Sequence, residues 1–251
     1  MPTRTKRQAS LTNCSARATG RVSSRPEAST RLAAMEWPLL DALNDDERRE
    51  LLRRSRRRRF AKGEVLFHEG DPGDTLHLLA KGHVAVRITT PLGDVATLLV
   101  LSPGDFFGEM AVVSAGPRNA TIVALEAAET VAVHREVLDE LRAEHPGVDR
   151  LLIEALVREV RRLSTLLSEA LYLPVDKRAW RRLLELAHVY RSADDQDAVV
   201  PLTQEELAQV VGTTRPTINK LLRQAQDEGV LRVARGRLEI LDSEALARRA
   251  R

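Results

Sequence analysis

An abrupt change of periodicity divides this chain near residue 134. Between about Phe60 and His134, short runs of Val, Leu, Ile and Thr are broken by Gly63, Gly70, Gly73, Gly82, Gly93, Gly104, Gly108 and Gly116. Turns that close together leave room only for short antiparallel strands. Segments 65–67, 75–79, 84–88, 96–101 and 121–125 are therefore expected as strands of a small barrel or roll. Beyond His134 glycine nearly vanishes and the apolar spacing becomes helical. Two periodicities in succession predict an α+β chain with separate modules.

The helical pattern is strongest from Val148 to Leu171. Ile153, Leu156, Val160, Leu163, Leu167 and Ala170 recur at alternating spacings of three and four, β-branched at the first two a positions and Leu at the first two d positions. That pattern favours a parallel two-stranded coiled coil, so 147–172 is expected as a dimerisation helix and the chain as a homodimer. A single amphipathic helix packed on its own domain also fits, because Leu152 and Leu166 offer a second apolar face. Pro174 ends or bends this helix before a last module spanning 173–251.

Composition narrows the function classes. At 251 residues with 43% hydrophobic and 30% charged side chains, the chain can bury a core without disulfide or metal staples. The longest apolar stretch, near 95–101, is too short to cross a bilayer. A single cysteine, Cys14, excludes an intrachain disulfide and a Cys-based zinc or iron–sulfur site, and a reduced, cytoplasmic chain is expected. The pI of 9.3 is misleading. Residues 1–34 hold seven basic side chains against Glu27 alone, so a net of about +6 sits in the tail and about −3 in the remainder. An argument for nucleic-acid binding must then come from local motifs. The 1–34 tail lacks any apolar period and is expected to be disordered, with translation from Met35 as the alternative. Domain 35–146 opens with a helix from Asn44 or Asp45 through Leu52, and the arginine string that follows, up to Arg59, is read as its solvated end or, alternatively, a nucleic-acid contact.

Two motifs carry chemistry. In the last module, Thr203 can cap a helix with Glu206 in a capping box, Ala208 is small where two helices cross, and Gly212 can take the positive φ of a tight turn. Leu207, Val211, Ile218 and Leu221 supply a shared core; Thr214 caps a second helix and Pro216 sits in its first turn. This is a helix-turn-helix. Its second helix offers Arg215, Thr217, Asn219, Lys220 and Arg223 to base edges or phosphates. A hairpin around Arg235 and Gly236 follows as a wing, with Arg235 and Arg237 available to the phosphate backbone.

The second motif runs from Phe106 to Thr121. Gly108 lets the backbone approach an anion, a helical turn after Glu109 aims free N–H groups at it, and Arg118 can grip it bidentately while Glu109 accepts from a sugar hydroxyl. The same spacing also fits a purely structural Glu109–Arg118 ion pair. His68, His77, His83, His134, His145 and His188 show no metal-ligand spacing, so no metal site is expected, and no catalytic motif is present.

In this order the motifs resemble the CRP/FNR family of bacterial transcription regulators over about residues 40–242. The resemblance rests on Gly63, Glu64 and Val65, on the run from Glu69 to Asp74, on the cassette Gly108–Ala111 with Pro117–Thr121, and on the segment from Leu202 to Arg215. It implies an amino-terminal double-stranded β-helix (jelly-roll-like) domain, a long dimerisation helix and a carboxy-terminal winged helix-turn-helix domain. It also implies a cyclic nucleotide, cAMP or cGMP, as an allosteric effector. The cyclic phosphate would meet Arg118 and the amides near Met110, Ala111 and Asn119, with Glu109 on the ribose. Double-stranded DNA with a palindromic operator, a second copy of the chain and RNA polymerase are the implied partners; no membrane is implied.

The departures are specific. Where cAMP-responsive members commonly carry Ser after the cassette Arg, this chain has Asn119. Where they place a base-contacting Thr on the dimer helix, the register gives Leu163 beside Ser164, and a Leu cannot hydrogen-bond adenine. The recognition helix has Pro216 where the family often has Glu, and Lys220 for a second Arg, so the operator is expected to differ from the usual consensus. Two other classes fit the residues: a constitutive DNA-binding regulator with a scaffold-only roll, and a nucleotide-binding module acting on a partner protein.

Overall fold

The computed structural model describes residues 37–191 and 198–251; the tail, Cys14 and Met35 lie outside them. A short 3-10 turn, Pro38–Leu40, precedes α1 (Asp45–Arg54), whose start is the capping box of Asn44 with Glu47. Eight strands follow: β1 (Arg56–Phe60), β2 (Val65–Phe67), β3 (Thr75–Lys81), β4 (Val84–Thr89), β5 (Val95–Leu101), β6 (Phe106–Phe107), β7 (Thr121–Ala124) and β8 (Ala128–His134), with α2 (Glu109–Ser114) between β6 and β7. They form two four-stranded antiparallel sheets, ordered β1-β8-β3-β6 and β2-β7-β4-β5. Together these are the expected jelly-roll-like domain.

The arginine string is a correction. The helix ends at Arg54, and Arg56, Arg57, Arg58 and Arg59 belong to β1, an edge strand paired antiparallel with β8 from Arg56↔Ala132 to Phe60↔Ala128. Arginine is a good helix former, but backbone pairing along β8 outweighs that preference. The sequence reading also missed β6, of two residues, and β8, whose burial on both faces removes the alternation that marks a strand.

The roll has an inner and an outer core. Phe60, Leu66, Leu79, Val84, Leu101, Phe107, Ile122, Ala124 and Ala128 fill its interior. The outer face of the first sheet packs Leu76, Leu78, Val131 and Val133 against Trp37, Leu39, Leu40, Leu51 and the helices that follow β8. Those helices are α3 (Arg135–Glu144) and α4 (Pro146–Tyr172). Only the start of α4 is anchored in this core, through Val148 and Leu152. Farther along, Ile153, Val160, Leu163 and Leu167 are exposed, 42% to 63% of their surface open, and Val157, Leu171 and Tyr172 extend the stripe.

After Pro174 the chain continues as α5 (Val175–Tyr190), β9 (Ala198–Val200), α6 (Gln204–Val211), α7 (Arg215–Asp227), the hairpin β10 (Leu231–Ala234) and β11 (Arg237–Ile240), and α8 (Ser243–Arg249). The joint between α4 and α5 is held by Glu169, buried on α4, which pairs with Arg181 at 2.8 Å and with the buried Arg182.

Candidate effector pocket and nucleic-acid interface

The cassette folds as its residue types require. Gly108 stands before α2 with φ +84, and a Cβ there would meet Arg118 Nη1 at 2.5 Å and the Thr75 carbonyl at 3.0 Å. Only glycine permits both the left-handed conformation and that approach. Arg118 is 4% exposed. Its Nη1 donates to the Gly108 carbonyl at 3.0 Å and its Nη2 to Thr75 Oγ1 at 2.8 Å, while the guanidinium lies over the Phe67 ring at 4.1 Å. Nε is buried with no hydrogen-bond partner among the described residues. Burial pushes the Arg118 pKa down, against the pull of Asp74, Glu109 and Asp71.

Behind Arg118 the buried His77 bridges Thr75 and Thr130, with ring nitrogens 3.3 Å and 3.2 Å from their hydroxyls, and stacks on Phe107 at 5.2 Å. Burial, reinforced by the Arg118 charge, depresses its pKa to about 3, so it is a neutral prop for Thr75.

Gly108 and Asn119 border a cavity of about 330 Å3 between the roll and α4. Its other walls include Val86, Leu99, Leu101, Glu109 and, from α4, Ala155, Arg158, Glu159 and Arg162. Arg162 grips Glu159 through two hydrogen bonds of 2.8 Å and 2.6 Å and donates to the Leu98 carbonyl at 2.8 Å. Glu109 forms no ion pair with Arg118 among the described residues, so the structural alternative for that spacing is set aside. Its carboxyl is pushed above the ordinary range, first by burial and then by Glu159. Met110 is exposed at the rim, where its Sδ accepts from Asn119 Nδ2 at 3.2 Å, and Ala111 is buried.

Four expected pocket residues do not line this cavity: Arg118 and Ala111 are buried beside it, Arg118 bonded to the Gly108 carbonyl, and two others lie elsewhere in the single chain. Leu163 belongs to the exposed apolar stripe, and Ser164 borders a different cleft with its Oγ donating to the Val160 carbonyl at 2.9 Å. The helix face at the cavity is the one or two turns before them. Arg158, Glu159 and Arg162 were missed because charged residues at i, i+1 and i+4 on a helix read as a solvated face.

The helix-turn-helix is equally explicit. Thr203 caps α6 with Glu206 in the expected box, Gly212 closes it at φ +71, and Leu207, Ala208, Val211 and Ile218 are buried between the helices. Leu222 carries the core contact assigned to Leu221, which is only partly buried. Thr214 stands at the N-cap of α7, but its hydroxyl bonds Thr217 Oγ1 at 3.0 Å instead of capping a backbone amide. Arg215, Pro216, Lys220 and Arg223 are exposed along α7, with Thr217 and Asn219 half-buried beside them. In the wing, Arg235 is exposed at the tip, whereas Arg237 pairs with Glu239 at 2.9 Å; β9, missed in the sequence, adds a third strand to β11.

Comparison with known proteins places these features. The cyclic nucleotide-binding domain family matches residues 57–145, and the Crp-like helix-turn-helix domain family matches 177–249. The chain is 34% identical over 194 residues to the CRP-like cAMP-activated global transcriptional regulator of Mycobacterium tuberculosis, covering 76% of this chain and 87% of that one. It is 32% identical over 212 residues to the cyclic AMP receptor protein of Thermus thermophilus, covering 83% and 94%. Among solved structures, a CRP-family transcriptional regulator from Thermus thermophilus superposes with a TM-score of 0.66 at 29% identity, over 77% of this chain and 96% of that one.

Proposed function

This chain belongs to the CRP/FNR family of transcription regulators, with a cyclic nucleotide-binding domain and a Crp-like helix-turn-helix, and from that premise we propose that it is a homodimer whose hold on a palindromic DNA operator is set by a cyclic nucleotide in the roll. The observation that carries the effector is Arg118: a guanidinium that is 4% exposed, has committed two N–H groups to Gly108 and Thr75, and keeps a buried Nε with no partner among the described residues. A buried cation with carboxylates nearby but none in ion-pair contact among the described residues is costly, and an anion bound beside Gly108 and Asn119 lowers that cost.

In this reading the cyclic phosphate lies against Arg118 and the amides of Met110, Ala111 and Asn119, with Glu109 on the ribose hydroxyl. The base points toward Glu159 and Arg162 of α4, and Leu163 and Ser164 reach it only through rearrangement or from a second copy. Pairing of two α4 stripes buries Ile153, Val160, Leu163 and Leu167, which the single chain leaves exposed. The paired modules then present Thr214, Arg215, Pro216, Thr217, Asn219, Lys220 and Arg223 to successive major grooves, with Arg235 on the flanking phosphates. Such a regulator works in the cytoplasm beside RNA polymerase.

Calorimetry with cAMP and cGMP on the wild type and Arg118→Ala tests the effector half. Replacement should weaken binding roughly 10- to 100-fold, the worth of a charge-assisted hydrogen bond. Equal affinity in both proteins defeats the assignment. Operator selection with and without nucleotide tests the other half: a palindrome altered at the base facing Pro216 is expected, and the unmodified family consensus would contradict it.

A further inference from the structure

The effector reading needs donors from two parts of the roll to meet on one phosphate. Arg118, in the segment before β7, is tied by its backbone to the turn 68–74 between β2 and β3: its N–H donates to the Asp71 carbonyl at 2.8 Å, its carbonyl accepts from the Gly70 N–H at 2.8 Å, and Pro117 forms a β-bridge with Pro72. The amides of Met110 and Ala111 belong to α2, which has only six residues and closes at Ala115 with φ +52. A helix that short has little stability of its own, so its position depends on what it packs against. It packs on the same turn, where a Cβ on Gly73 would collide with that of Ala111.

Arg135 joins these parts. Its Nη2 donates to the Gly73 carbonyl at 2.7 Å and to the Ala111 carbonyl at 2.9 Å, and its backbone N–H donates to the Asp74 carbonyl at 2.8 Å. One guanidinium nitrogen therefore spans the turn and α2. Nothing local explains the residue. It opens α3, where a cation opposes the helix macrodipole, and its Nε is buried with no hydrogen-bond partner among the described residues. It also stands close enough to Arg118 to repel it, a repulsion that an anion beside Arg118 relieves. Three unfavourable features meet at one position, and the two carbonyl bonds that unite the halves of the effector site are what offsets them.

We propose that Arg135 is a positioning residue for the effector: by fixing α2 to the turn before β3, it keeps the amides of Met110 and Ala111 aligned with Arg118 on one phosphate. It acts through those groups and not by touching the nucleotide. Both bonds come from a single nitrogen, so a lysine ammonium can make them, whereas glutamine cannot extend as far and methionine has no donor. The inference rests on the effector reading above, and the experiment keeps the two apart.

Calorimetry with cAMP and cGMP, and amide hydrogen exchange, are run on the full chain as wild type, Arg135→Lys, Arg135→Gln and Arg135→Met. Arg135→Gln and Arg135→Met should weaken both nucleotides about 10- to 100-fold, the worth of one or two hydrogen bonds to the phosphate, and Arg135→Lys should stay within about threefold of the wild type. Without nucleotide, exchange in 109–116 should quicken about tenfold in the Gln and Met variants and not in the Lys variant, while 121–134 keeps its wild-type rates. Wild-type affinity in the Gln and Met variants overturns the proposal. So does a loss that lysine does not restore, faster exchange in 121–134, or failure of both variants to fold, since Arg135 would then be a structural residue of the whole roll. No nucleotide binding by the wild type overturns the effector reading and this inference with it.

Discussion

Replacing Gly108 by alanine places a methyl group where the structure has none to spare. The added Cβ lies 2.5 Å from Arg118 Nη1 and 3.0 Å from the Thr75 carbonyl, at φ +84. A left-handed alanine costs about 1–2 kcal/mol. Displacing the guanidinium also forfeits its hydrogen bond to the Gly108 carbonyl, about 1.5–3 kcal/mol for a charged donor. The total is about 3–5 kcal/mol. Gly93, in the β4–β5 turn at φ +90 with nothing within 4 Å of its added Cβ, is the matched control and should cost only about 1–2 kcal/mol. Urea unfolding can be followed by Trp37, buried in the roll core, in a Trp180→Phe background that silences the DNA-binding module. Gly108→Ala should also weaken cyclic nucleotide binding, and Gly93→Ala should not. Equal midpoint shifts for the two variants would refute the steric argument, because strain alone would then explain both.

Three other outcomes follow from the same structure. His77 is held neutral with a pKa of about 3, so the unfolded chain binds more protons below the usual histidine range; stability of the roll should fall as pH drops from about 6.5 toward 3, and His77→Gln should flatten that slope in pH-dependent unfolding. Glu169→Ala takes one of two acidic partners from the buried Arg182, leaving Glu185, and should cost about 1.5–3 kcal/mol, read by thermal unfolding followed through Trp180 fluorescence; a loss under about 0.5 kcal/mol would show that the joint between α4 and α5 is not held by charge. Val160→Glu with Leu167→Glu puts two carboxylates on the exposed stripe and should yield a monomer in sedimentation analysis, with an unchanged dimer excluding α4 as the interface.

How far the sequence can be read depends on the scale at which each decision is made. Helix starts and turns are local, so the capping box of Thr203 and Glu206 and the left-handed Gly212 were legible from neighbouring residues. The period of α4 was legible for the same reason, and the structure extends it to Pro146–Tyr172. Strand β1 was not, since four arginines become a strand only because β8, over 70 residues later, offers backbone partners. The choice of Leu222 over Leu221 turns on one residue of helical phase, which β10, packed against α7, settles.

The candidate site divides the same way. Gly108, Glu109 and Arg118 stand close together in the chain, and their residue types fitted either an anion site or a Glu109–Arg118 ion pair, between which only the family resemblance chose. Thr75, His77 and Thr130, which seat Arg118, lie on strands far from it in sequence and carry no motif. Which turn of α4 meets the cavity, and that Arg135 reaches both Gly73 and Ala111, follow from how sheets and helices stack. Local backbone chemistry and apolar spacing sufficed to name the modules, their order and the residues that mark them. Only close packing between segments distant in the chain decided the neighbours of each charged group, because the cost of burying a polar atom depends on partners that no local stretch of sequence contains.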